Sequence, residues 1–190
     1  MTLPSKKYNI IYADPPWRFE TYSESGKEKS PDRHYNCMSI EDIYNLPVKD
    51  ITNEDCMLFI WVTFPLLQEG FETIKRWGFS YKTCAFVWVK TKKTYAINQS
   101  SFLPEDSFES FWGLGYWTRS NAELCLLAKK GSISRQSKSV HQLIYDPVRE
   151  HSRKPDSTRD KIVELVGDLP RIELFARQRY NGWDAWGNEI

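Results

Sequence analysis

The sequence predicts an α/β fold, a mainly parallel sheet flanked by helices. Two observations carry this expectation. Short apolar, β-branched runs alternate along the 190 residues with stretches of helical period, the pattern of strand–helix units packed around a shared sheet. The first such run stops at Asp14-Pro15-Pro16, where residues lacking an N–H cannot continue a ladder.

Taken in order, the first strand is expected over Tyr8–Ala13, apolar and therefore buried. Residues 18–34 are polar and aperiodic, a long loop of the kind usually kept for function. Ser39-Ile40-Glu41-Asp42 resembles a capping box and opens a short helix that stops near Pro47. Residues 57–62 form a second strand. Thr63 can cap a helix with Pro65 in its first turn, an apolar face of Leu66, Leu67, Phe71, Ile74 and Trp77, and Gly78 as its stop. Residues 82–90 read as the third strand, 91–120 as an aromatic-dotted loop, 122–128 as the fourth strand and 139–145 as a short fifth. After Pro155-Asp156 a helix runs to about Val166, with Ile162, Val163 and Val166 inward and Gly167 ending it. Residues 171–175 are the last strand, followed by a polar tail from 177 to 190. No repeat, low-complexity tract or linker divides the chain, so residues 1–190 are expected to be one domain.

Composition narrows the function classes. The formal net charge is +1, so no global field draws the chain to nucleic acid or membranes, and any such binding must use local patches. Aromatic residues make up 15% with eight tryptophans. Most are expected in the core, a minority as stacking platforms. The four cysteines form no C-x-x-C pair, and residues 1–7 hold no apolar signal core. A reducing, cytoplasmic setting is expected, without a membrane span. His34, His141 and His151 show no metal-ligand spacing, and no metal is expected.

Asp14-Pro15-Pro16-Trp17 is the candidate catalytic corner. In an open α/β sheet, ligands bind just beyond the carboxyl ends of the strands. An exocyclic amine conjugated to a purine ring is a poor nucleophile. Two acceptors aimed at its N–H groups would localise the lone pair and stabilise the charge that develops on methylation. The Asp14 carboxylate is one acceptor and the Pro15 carbonyl the natural second. The prolines make the turn rigid, and Trp17 offers a face for an extruded base.

The segment 11–19 resembles motif IV of amino-group methyltransferases, in the D-P-P-W form of the family named for the large subunit of the mRNA adenosine methyltransferase, the MT-A70 type. His34 to Ser39, Phe59-Ile60-Trp61-Val62-Thr63, Val87-Trp88-Val89-Lys90, Glu123-Leu124-Cys125-Leu126, Arg153-Lys154-Pro155-Asp156, Ile172 to Arg177 and Gly187-Asn188-Glu189 are similar to further family segments, in the family's order. The resemblance covers residues 7–190. It implies a Rossmann-like class I methyltransferase fold, circularly permuted, with the catalytic strand first and the cofactor strand last.

It also implies S-adenosylmethionine as cofactor, which no glycine-rich loop would have suggested. The residues expected to hold it are Asp14, Lys154, Glu173, Phe175, Arg177, Arg179, Asn188 and Glu189. Lys154 and Arg177 would meet the methionine carboxylate, and Asn188 and Glu189 the ribose hydroxyls. Arg179 stands where the family's mRNA enzyme has a histidine. The family's acidic residue and strand upstream of motif IV are absent.

For substrate contacts, the sequence offers Lys27, Lys29 and Arg33 on the first loop, then Arg149 and Arg153, able to flank a phosphate backbone. Tyr35 and Trp17 are candidates for holding a flipped adenine. The expected activity is methylation of the 6-amino group of adenine, in DNA rather than RNA on grounds of size and family analogy. An RNA adenosine enzyme and a non-catalytic partner subunit of the same fold are the alternatives. A small-molecule or protein amine methyltransferase is a weaker third. The aromatic loop 91–118 suggests a homodimer.

Overall fold

The computed structural model describes residues 2–17, 38–92, 111, 113, 117–149 and 153–190. Seven strands form one sheet: β1 (Tyr8–Ala13), β2 (Thr52–Val62), β3 (Ser80–Thr91), β4 (Ala122–Lys130), β5 (Leu143–Pro147), β6 (Arg171–Leu174) and β7 (Asp184–Trp186). Their spatial order is β5-β3-β4-β2-β1-β6-β7. β1 pairs in parallel with β2 and β6, β3 with β5, and β6 with β7. Only β4 runs the other way, antiparallel to both β2 and β3. The mixed, mainly parallel sheet and its flanking helices agree with the expected Rossmann-like α/β class.

The reversal of β4 matters for the site. The carboxyl ends of β1, β2 and β3 share one edge of the sheet, and β4 starts there. Glu123, beside the start of β4, therefore reaches the same edge as Asp14, which follows β1.

Two apolar layers sandwich the sheet. One contains Ile11, Leu58, Ile60 and Leu126 under α1 (Ile40–Asn45) and α2 (Leu67–Arg76), which contribute Ile43 and Ile74, with Trp77 just beyond α2. The other contains Ile10, Tyr12, Phe59, Trp61 and Trp88 under α3 (Ser157–Val166), which contributes Ile162 and Val166. These apolar side chains leave water on both faces, as a sheet covered on each side requires.

Local chemistry explains the ends. Ser39 caps α1 by accepting the Asp42 N–H at 3.1 Å. Gly78 ends the α2 region at φ 83°, and Gly167 follows α3 at φ 95°, backbone conformations that favour glycine. A 3-10 turn, Phe64–Leu66, precedes α2, with Pro65 in its first positions.

Two expectations need correction. Phe71 does not face the core: it is 38% exposed and packs edge-to-face on Tyr81. The reason is Gly70, where an added Cβ would stand 3.0 Å from Val62 Cγ2. The helix approaches β2 through Gly70, Thr73 and Ile74, which turns Phe71 outward. The 177–190 segment is not merely a polar tail, because β7 extends the sheet and Trp183 is buried. Three residues are too few to show a strand period.

Among the described residues no helix is long and apolar enough to cross a membrane. No described group of three or more His, Cys, Asp or Glu residues could hold a metal ion. Cys56 and Cys125 are buried free thiols and Cys84 a half-buried one; burial pushes the Cys56 thiol up to about 12.

Candidate active site

The β1 strand alternates its side chains, so Tyr12 and Asp14 point the same way at its end. Pro15 and Pro16 then break the ladder. The Trp17 N–H donates back to the Pro15 carbonyl at 2.8 Å, closing a three-residue turn around Pro16. A carbonyl oxygen has two lone pairs, and this bond uses one. Trp17 is buried, and its indole N–H donates to the Trp61 carbonyl at 2.9 Å. So placed, the ring locks the turn onto β2. At 8% exposure it presents little face for a stacked base, and the stacking role expected from sequence has scant support.

Beside Asp14 lies a cavity of about 180 Å³ walled by Tyr12, Asp14, Arg153, Lys154, Arg159, Glu173, Phe175, Arg177, Gln178, Tyr180 and Glu189. Of the residues expected to bind a cofactor, Asp14, Lys154, Glu173, Phe175, Arg177 and Glu189 come together here. Arg179 and Asn188 are exposed and do not line it. Arg153, expected at the substrate, is instead part of this wall. Arg149 is held away from it by Asp156 at 2.6 Å and by the Lys154 carbonyl at 2.8 Å. Lys27, Lys29, Arg33 and Tyr35 lie outside the described residues, as does most of loop 91–118.

Two charge networks shape the wall. In the first, the buried Lys154 ammonium bridges Asp14 at 3.0 Å and Glu123 at 3.1 Å, with the Trp61 ring 5.8 Å away. Burial opposes the Lys154 charge, but the two carboxylates more than offset it and hold the ammonium above its ordinary value. In the second, Arg159 grips Glu173 through two bonds of 2.7 and 2.6 Å and lies 3.5 Å over the Tyr180 ring. Burial pushes the Glu173 carboxyl up against the opposing pull of Arg159. Glu173 is thus committed to a protein partner, an arrangement that fixes the floor of the cavity.

Asp156, just before α3, gathers Tyr180, Arg149, Arg153 and Arg159. Burial raises its carboxyl, yet the Tyr180 hydroxyl and Arg149 outweigh that and bring it down to about 2. A depressed carboxyl stabilises the fold above its unfolded pKa of about 4 and loses that contribution as pH falls through the folded value. Urea midpoints should therefore decline between about pH 4 and pH 2, and Asp156→Asn should flatten this part of the profile. An identical decline in the variant would remove Asp156 as its source.

Beyond β6 the backbone is constrained. Phe175 has φ 61°, a conformation that costs a non-glycine residue on the order of 1 kcal/mol. The Ala176 N–H donates to the Trp186 carbonyl at 3.0 Å, and a Cβ on Gly187 would fall 2.2 Å from the Ala176 oxygen. Gly187 thus lets the tail close over the strand end and bring Glu189 to the cavity.

Sequence reasoning missed Tyr12, Arg159, Gln178 and Tyr180 in the wall and Glu123 behind it. Signals existed for three of them. Tyr12 stands two residues from Asp14 on one strand face. Arg159 shares a helical stripe with Ile162 and Val166. Glu123 is a charge inside an apolar strand. Gln178 and Tyr180 carried no comparable signal.

A corner of acceptors and an ion-lined cavity at the carboxyl edge of a mainly parallel sheet define a Rossmann-like enzyme site. The chain belongs to the MT-A70 family of methyltransferases, whose model matches residues 8–189. It is similar to the type II methyltransferase M.MunI of Mycoplasma sp, 35% identical with 99% of this chain and 80% of that protein covered. It also resembles a putative N(6)-adenosine-methyltransferase MT-A70-like protein of Medicago truncatula, at 28% identity, and the N(6)-adenosine-methyltransferase catalytic subunit METTL3 of Homo sapiens, at 25%. Those alignments cover 97% of this chain but only 26% and 28% of those proteins.

Proposed function

We propose that the chain is an S-adenosylmethionine-dependent methyltransferase acting on the exocyclic 6-amino group of adenine in DNA. The observation that carries this reading is the Asp14 carboxylate in the wall of the ion-lined cavity, followed directly by the Pro15 carbonyl, which keeps one lone pair beyond its bond to Trp17 as a second acceptor.

The donor set suits that cofactor. S-adenosylmethionine carries a sulfonium, an ammonium and a carboxylate beside a ribose and an aromatic base, and the wall offers carboxylates at Asp14 and Glu189, cations at Lys154 and Arg177, and aromatic faces at Phe175 and Tyr180. Lys154 and Arg177 would hold its carboxylate, Glu189 its hydroxyls and Phe175 its apolar parts. Bound there, the cofactor supplies an electrophilic methyl group that no side chain possesses. Asp14 and the Pro15 carbonyl orient the amine by accepting its two hydrogens. As positive charge builds on the nitrogen, the Asp14 carboxylate opposes it at close range. The same carboxylate is placed to take the proton that the methylated amine must lose.

Adenine is favoured because the more distant relatives are named for N(6)-adenosine methylation. DNA is favoured because the relative matched over most of its own length carries a type II name, the term used for enzymes of DNA modification. Nucleoside mass spectrometry of DNA and RNA, each incubated with the chain and the cofactor, tests both points. N6-methyladenine should appear in DNA. Its appearance in RNA alone would overturn the substrate, and its absence from both would overturn the activity.

A further inference from the structure

We infer that Lys90 is a positioning residue for the Asp14 carboxylate, acting through Glu123 and Lys154 along a row of alternating charges that crosses the sheet edge. This rests on the reading of Asp14 as the acceptor for the amine.

Four groups make the row. Lys90, near the end of β3, donates to one oxygen of Glu123 on β4. The other oxygen of Glu123 meets Lys154 at 3.1 Å, and Lys154 meets Asp14 at 3.0 Å. The register puts them side by side: Trp88 pairs with Glu123, Trp61 with Cys125, and Ala13 with Ile60. The adjacent β3 and β4 and, one strand beyond β2, β1 therefore contribute a charge each, and the segment before α3 lays Lys154 across the gap above Trp61.

The near-equal distances from Lys154 to its two carboxylates describe a shared cation. Its division between them depends on how much negative charge each presents. Lys90 neutralises part of Glu123, which leaves Lys154 for Asp14. Without Lys90 the three remaining groups carry a net negative charge in a buried setting. Two responses are open. Glu123 can draw Lys154 away from Asp14, or it can take up a proton and surrender Lys154 entirely to Asp14, weakening that carboxylate as an acceptor. Either response disturbs the alignment on which the rate depends.

Among the described residues the charged groups that meet Glu123 are Lys90 from β3 and Lys154 from the segment before α3; the Cys125 thiol on β4 lies near Asp14, Lys154 and Cys84. Burial pushes the Glu123 carboxyl up, while Lys154 and Lys90 together hold it below its ordinary value. Burial likewise keeps Cys125 protonated, so the thiol adds no charge to the row.

The test compares Lys90→Met and Lys90→Arg with the unaltered chain by two measurements. In methyl-transfer assays, Lys90→Met should lower kcat about 10-fold or more and displace the acid limb of the pH profile, and Lys90→Arg should recover both. In carboxyl carbon-13 NMR titrations of the ligand-free protein, the Glu123 midpoint should rise in Lys90→Met and return in Lys90→Arg. The titration needs no turnover, so a chain inactive on every nucleic acid would sink the proposed function and still report on the row. An unmoved Glu123 midpoint overturns the inference. So does a moved midpoint with kcat and pH profile unchanged, or a loss of activity that follows thermal stability and is not rescued by arginine.

Discussion

Replacing Asp14 by asparagine is expected to lower methyl transfer by about 10²–10³-fold, the range for removing one group matched to developing charge. The substitution keeps the shape of the corner and changes its polarity. An asparagine oxygen can still accept from Lys154, at the position where Asp14 now sits 3.0 Å away. Its amide nitrogen would then turn donors toward an amine that needs acceptors. Lys154 would keep Glu123 as an ionic partner at 3.1 Å, so the fold should survive. Single-turnover rates with labelled cofactor measure the effect, and calorimetry separates it from cofactor binding. Unchanged turnover would remove Asp14 from the chemistry.

The largest stability effect is expected at Arg159. Its guanidinium and the Glu173 carboxylate are each only 9% exposed and face one another through two bonds. Arg159→Met would strand a carboxylate in the core beside Tyr12, at a cost of about 3–5 kcal/mol. The double variant Arg159→Met with Glu173→Leu removes both charges and should recover more than half of that loss, since a buried pair owes much of its apparent strength to the penalty of breaking it. Urea unfolding of the two variants measures the difference. A loss below about 1 kcal/mol in the single variant would show that water reaches Glu173 and that the pair is a surface one. The Tyr180 ring, now 3.5 Å from Arg159, would lose that cation in both variants, while its hydroxyl keeps Asp156.

Much of this fold was legible because periodicity and stop signals agreed. The β1 strand was bounded correctly by its apolar run and the Asp-Pro-Pro stop. The α3 helix was bounded by Asp156 and Gly167. What stayed hidden depended on contacts distant in sequence. β2 begins five residues earlier than its apolar run, at Thr52, because Thr52 pairs with Tyr8 of β1 beyond an irregular register and Cys56 pairs with Lys130 of β4. β7 exists only as a neighbour of β6. The site divides in the same way. Asp14, Lys154 and Arg177 could be named from motifs, whereas Arg159 and Tyr180 acquire their roles from Glu173 and Asp156 across the fold. Arg179 and Asn188 were marked by motif position alone, and they stand exposed outside the cavity lining.

The turn at Pro15 also bears on how far the proposed reaction runs. One lone pair of the Pro15 carbonyl is taken by the Trp17 N–H and one oxygen of Asp14 by Lys154, so the corner turns one carbonyl lone pair and the other Asp14 oxygen toward an amine. That arrangement matches the two hydrogens of a primary amine. A nitrogen that has received its methyl group keeps a single hydrogen. Returning for a second round, it would set that methyl against one of the acceptors, and an acceptor without a donor costs roughly 1–3 kcal/mol. On the proposed function the corner would therefore disfavour a second transfer to the same nitrogen by that amount.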